Sequence, residues 1–246
     1  VSVAAAVKDP IQRIGGAFMF SREARVYGES TGVPGFIGPY ARGRGGVLGD
    51  VDADVVVAAF GFLAPETVRA AWDSVSVPAA EAAGAYLGAC QDFGRRKLAG
   101  FAEAEPLAEL LQAVAAAAEV PGVPLFAGWR ALPAAADAPA RVLQYAHVLR
   151  ELRGGLHLMA VLSAGLTPLQ AVLISGSPLS PGPAQARAFG WPEPFEEVSD
   201  EVRARWEAAE AVTDALIAPA FEVLGADGGA ELARLLGAAE RQVFGR

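Results

Sequence analysis

Histidine, methionine and cysteine are scarce in this chain: two, two and one among 246 residues. The single cysteine, Cys90, excludes an intramolecular disulfide and any cysteine metal cluster. Two histidines, His147 and His157, exclude a histidine-rich metal site. No run approaches the roughly 18 apolar residues of a membrane span. Val1 to Val7 is apolar but short and lacks a basic leading region, so it reads as neither anchor nor secretory signal. A cytoplasmic protein with no membrane partner is the expectation. Positive charge is short as well: 20 Lys and Arg face 28 Asp and Glu, for a net charge of −8. Such a chain repels phosphate backbones unless its basic residues cluster, which argues against nucleic acid as a partner. Chemistry-bearing motifs are also absent. There is no GxxxxGK[ST], no GxSxG and no HExxH, and Gly43, Gly45 and Gly46 do not form GxGxxG behind a strand. No metal and no cofactor are expected.

What the chain has is apolar, helix-compatible sequence, 53% hydrophobic. Asp9-Pro10 reads as the opening of a first helix, with proline at its first position. Ser21 opens a second, closed by Gly32. Pro34 to Gly49 is glycine-rich but keeps near-helical apolar spacing. Asp54 to Phe62 is a short valine-rich run that periodicity alone cannot divide between helix and strand; its helical flanks favour helix. Helices are expected over Pro65–Val75, Pro78–Leu98 and Pro106–Glu119. The proline-punctuated stretch Val120–Pro139 reads as a connection holding one short apolar piece, Leu125–Leu132. A strong helix follows over Ala140–Arg153, broken at Gly154-Gly155, continued by Leu156–Ala164 and ended by Gly165. Thr167-Pro168 starts the next. Ser175–Pro194, with prolines at 178, 181, 183, 192 and 194, is mostly loop. Ser199 caps a long helix with Val202, Trp206, Ala209, Val212, Leu216 and Ile217 as its buried stripe, ended or kinked at Pro219. Gly228-Gly229 precedes a last helix. The fold class expected is all-α: a multi-helix orthogonal bundle, two helical halves (1–135 and 136–246) around a central cavity.

The candidate chemistry is thin. Gln144, His147 and Glu151 fall on one helical stripe, His147 one turn before Glu151, where a carboxylate could orient an imidazole base. A solvated helix face with an incidental pair is the plainer reading. His157, beside the double glycine, could enter a cavity or be a satisfied core histidine. Arg150 and Arg153 flank the same turn and could meet a carboxylate or enolate. Tyr40-Ala-Arg42-Gly-Arg44-Gly-Gly could hold an anion on a glycine-rich turn. Trp129 could line a pocket or cover the junction of the halves. Cys90 and the phenylalanines at 18, 20, 60 and 62 read as core.

Val148–His157 (VLRELRGGLH), followed by an apolar helix and Ala164-Gly-Leu-Thr-Pro-Leu169, resembles a segment of a large actinobacterial family described as helix-turn-helix or uncharacterised. Phe20–Ala24, Gly35–Gly49 and Thr213–Pro219 resemble other segments of it, so the likeness touches most of the chain through short motifs. The resemblance implies an all-α fold with a winged-helix-like insert before the late helix. It also implies histidines at the positions of Gln144 and Leu152 and an acid at Gly155, so only His157 of that polar set is kept. Here Phe189 runs through Gly190-Trp191-Pro192 almost directly to Ser199. The chain therefore reads as a divergent member lacking the wing, with small and apolar replacements that would dry or widen a cavity.

The first functional expectation is a cofactor-independent enzyme, a cyclase or isomerase of secondary metabolism acting on a hydrophobic, polyketide-like molecule. His157 and Glu151 would be catalytic, and Arg150, His147, Tyr40, Arg42 and Trp129 would bind the ligand. The alternatives are a non-catalytic binder or self-resistance protein, and a helix-turn-helix-derived transcriptional regulator using Thr167–Ile174 and Pro183–Phe189. The turn between those two is long and proline-rich for that motif, and Arg187 is the only basic residue of the second. A homodimer through the Ser199 helix is an alternative to packing on its own domain.

Overall fold

A computed structural model describes residues 2–177 and 180–245. The sequence readings for Val1 and Pro178 fall outside them. Among the described residues the regular elements are helices, with no strand; Ser177 and Ser180 make an isolated bridge. The all-α, multi-helix expectation holds.

The centre is α9, Ala138–Ser163, a 26-residue helix. Around it pack α1 (Val3–Ala17), α6 (Ala79–Lys97), α7 (Ala104–Ala117), α8 (Pro124–Ala131) and α12 (Asp200–Phe221). Both its ends are written locally. Asp137 accepts a hydrogen bond from the Ala140 amide, 3.1 Å, and Pro139 sits in the first turn. At the other end Gly165, at φ 71°, donates to the Leu162 carbonyl while Leu166 donates to Val161. That is a Schellman closure, and its two apolar residues, Val161 and Leu166, are packed in one cluster.

Gly154-Gly155 does not break this helix, contrary to the sequence expectation. A Cβ on Gly155 would lie 2.7 Å from Val123 Cγ1, so this glycine serves a close contact between elements. Gly15 of α1 works the same way: a Cβ there would meet the Ala146 carbonyl oxygen at 2.5 Å, and its absence lets α1 lie directly on α9.

Other local signals read well. Ser21 caps α2 (Arg22–Ser30), Thr167 and Gln170 form a reciprocal capping box on α10 (Pro168–Ser175), and Ser199 caps α12. Around these lie α3 (Ile37–Gly45), α4 (Ala53–Phe60), α5 (Pro65–Ser74), α11 (Gly182–Ala188) and α13 (Gly225–Phe244). Three boundaries shift. The first helix starts at Val3 under a Ser2 cap, so Pro10 is interior. Leu125–Leu132 is largely α8 rather than a piece of connection. The last helix begins at Gly225, and Gly228 and Gly229 lie inside it.

The stripe of α12 is also displaced. Its buried residues are Ala209, Thr213, Ile217, Ala220 and Phe221, while Val212 and Leu216 are 42% and 47% exposed. Thr213 belongs to the buried set because its hydroxyl donates to the Ala209 carbonyl, 2.7 Å.

One apolar cluster extends from Ala4 to Val243 and draws on both sides of position 135. The segment across that position is tied to α9 and α6 by Gln144. Its Oε1 accepts from Ala135 N and Gln91 Nε2, and its Nε2 donates to the Pro133 carbonyl. No single described helix is long and apolar enough to cross a membrane; α9 and α10 qualify only as a pair bent by 113°.

Candidate functional site

The polar stripe of α9 points inward. Gln144, His147 and Glu151 are all buried, so the solvated-face reading is corrected. Glu151 meets Arg44 of α3 in a two-pronged pair, Nε to Oε1 at 2.9 Å and Nη2 to Oε2 at 2.7 Å. Arg150 approaches the same carboxylate at 3.5 Å. Burial alone would raise the Glu151 carboxyl, but the charge and hydrogen bonds of Arg44 outweigh it and hold Glu151 at about 2. The Arg44 guanidinium also lies over the Phe60 ring, 4.5 Å from its centre, and its backbone carbonyl accepts from Trp129 Nε1, 3.1 Å.

His147 lies beside this pair, Nε2 3.8 Å from Glu151 Oε1, and is enclosed by the edges of Phe18, Tyr86 and Trp129. Burial depresses it to about 4 against the pull of Glu151, so it is a neutral imidazole at pH 7. The Tyr86 hydroxyl is buried and has no hydrogen-bond partner among the described residues. Burial, then the neighbouring Tyr40, raise it, so it too stays neutral.

Tyr86 connects this interior to a cleft of about 700 Å³ between α2, the 31–36 segment and the start of α3. Met19, Tyr27, Pro39 and Tyr86 form its buried parts, and Phe20, Arg25, Glu29 and Phe36 its exposed rim. Tyr40 joins the two, lining the cleft while its ring centre stands 5.7 Å from the Arg44 guanidinium. Gly43 makes this arrangement possible: a Cβ there would fall within 3 Å of Tyr27 and Tyr86.

The sequence candidates therefore separate. Tyr40 lines the cleft. His147, Glu151, Arg150 and Trp129 gather behind it. Arg42 lies elsewhere, over the Trp72 ring, paired with Asp50 and donating to the Val77 carbonyl at 2.7 Å. Arg42 and Arg44 lie in α3 rather than on a glycine-rich turn, and both are engaged by Asp50, Val77 and Glu151.

His157 does not meet Glu151. Its Nδ1 is 3.0 Å from Thr213 Oγ1 and 3.4 Å from Glu210 Oε1. The Thr213 hydroxyl already gives its proton to Ala209, so it accepts here, and Nδ1 carries the proton. Phe62 stacks on the ring, and burial lowers its pKa against the pull of Glu210. Next to it Arg153 joins Glu210 and Asp214 at 2.7 and 2.8 Å, and Lys8 reaches both acids. This network straps α1 and α9 to α12, and a cavity of about 10 Å³ lies beside it.

The residues missed in the sequence are Arg44 as partner of Glu151, and Tyr86 and Tyr27 in the cleft. The glycines flanking Arg44 were the available signal, since they mark where backbones come close. Among the described residues no three His, Cys, Asp or Glu side chains are placed to hold a metal ion.

α10 and α11 follow α9 in the order of a helix-turn-helix. α11 has seven residues, and its one basic side chain, Arg187, is hydrogen-bonded to Glu193 at 2.9 Å. The chain after it turns back onto the α4–α5 connection: Trp191 Nε1 donates to Phe62 O at 2.9 Å, and Phe189 O accepts from Ala64 N. No curated protein and no solved structure matches the chain. The sequence profile of a helix-turn-helix family matches residues 4–246. That span covers nearly every residue, and the chain belongs to this helix-turn-helix family.

Proposed function

We propose that this chain binds a hydrophobic small molecule in the cleft between α2 and α3, and that it binds without acid–base chemistry. The observation that carries this is a cleft of about 700 Å³ with apolar and aromatic walls, floored by the buried side chains of Met19, Tyr27, Pro39 and Tyr86. Size and lining match small-molecule sites, which run about 300–1,000 Å³ and carry few polar groups. A cyclase or isomerase would use the same cleft, but a general acid or base works best with a pKa near the operating pH. Tyr86 is pushed up, His147 down to about 4 and Glu151 down to about 2. The first two are neutral at pH 7, and Glu151 is a carboxylate committed to Arg44.

Native mass spectrometry of the freshly purified chain tests this. An organic species that co-purifies, survives gentle ionisation and is lost in Tyr40→Ala supports it. A bare mass that hydrophobic extracts do not shift would overturn it.

Family membership favours a second reading, a transcriptional regulator. Net charge −8, the short α11 and the engaged Arg187 weigh against DNA contact through that helix. A mobility shift with duplex DNA that weakens steeply with salt would establish it; no shift at low salt would remove it.

A further inference from the structure

Resting on the cleft reading, we infer that the ligand is a flat aromatic molecule rather than an aliphatic or lipid-like one. The rim of the cleft is a column of rings. Phe20 stacks on Phe36 with planes 13° apart and centres 5.3 Å apart, and Phe36 stacks on Tyr40 at 19° and 5.2 Å. Tyr40 then meets the edge of Phe60, which fixes the inner end of the column in the core. The outer end is unpacked: Phe20 is 73% exposed and Phe36 46%. All three stacked rings line the cleft.

A saturated chain would be served by Leu, Ile and Met, which adapt to any shape. Within the column the faces cover one another, and the free face is that of Phe20 at its outer end, where an aromatic partner would extend the stack and gain from offset stacking beyond the area it buries. The wall also includes Gly28, Gly32 and Gly35, which add no side chain. Gly32 and Gly35 sit at φ 73° and 86°, where a Cβ-bearing residue is strained.

Calorimetric titration of the full chain with 2-naphthol and with its saturated counterpart trans-2-decalol tests the inference. The two share size and hydroxyl and differ in aromaticity. Wild type should bind 2-naphthol more tightly than the decalol. Phe20→Ala, an exposed substitution that the fold tolerates, should weaken 2-naphthol about two- to tenfold and leave the decalol unchanged. Equal binding of the two probes, with no effect of Phe20→Ala, overturns the aromatic inference and leaves the cleft reading standing. Binding of neither overturns both.

Discussion

Arg44 and Glu151, 107 residues apart in sequence, close on each other through two hydrogen bonds of 2.9 and 2.7 Å in the interior. Removing one member leaves the other charged and buried. Glu151→Gln should cost about 3–5 kcal/mol in urea unfolding. Because the pair itself is expensive to desolvate, the double variant Arg44→Met/Glu151→Leu should recover most of that loss. An additive or worse double variant would show that the pair gives net stability.

His147 and Glu151, both buried on α9, should weaken the fold in acid, in different windows. The His147 pKa falls from 6.5 to about 4 on folding. Between those values the unfolded chain binds a proton that the folded chain refuses, so stability is full above pH 6.5 and declines toward pH 4, by about 3 kcal/mol over the whole window. Glu151 falls from 4.5 to about 2, so its contribution is full above pH 4.5 and is lost as pH drops toward 2. His157, also lowered, adds to the first window and faces Glu210, Asp214, Arg153 and Lys8. His147→Phe should therefore flatten the pH 6.5–4 arm without abolishing it, read as urea midpoints across that range.

Tyr86→Phe should raise stability by about 1 kcal/mol, since it removes a buried hydroxyl that has no protein partner. A thermal melt that falls instead would mean that the hydroxyl is satisfied in solution.

Gly154→Ala and Gly155→Ala should part in sign. Nothing lies within 4 Å of a Cβ on Gly154, so alanine there gains about 1 kcal/mol of helix propensity. The same change at Gly155 drives a methyl against Val123 and should lower the melting temperature.

Ser21, Ser199 and the Thr167–Gln170 box were legible because capping is written within four residues of chain. The structure places Tyr40, His147, Glu151, Arg150 and Trp129 near the Arg44–Glu151 pair. The reasons given for them fared less well. The stripe on α9 looked solvated because sequence shows polarity without showing Arg44 arriving from α3. Gly154-Gly155 looked like a break because a glycine that admits a neighbouring helix is spelled the same way as one that ends its own. Val212 and Leu216 looked buried because apolar spacing marks a face without saying what covers it. The cleft itself was unreadable: it forms where α2, the 31–36 segment and α6 meet, and its deep polar group, Tyr86, resembles any core aromatic on an apolar helix face.

α9 lies against α1, α6, α7, α8 and α12, so none of its neighbours can leave without uncovering it. Its middle amides, over 142–152, should exchange hydrogen only when the whole molecule opens, and so report the global unfolding free energy. α2, with a single buried residue, Tyr27, can detach by a far smaller fluctuation. The wall of the cleft is thus the looser part of a molecule whose axis is held fast, and entry to the cleft can be governed by local breathing that leaves the rest of the fold intact.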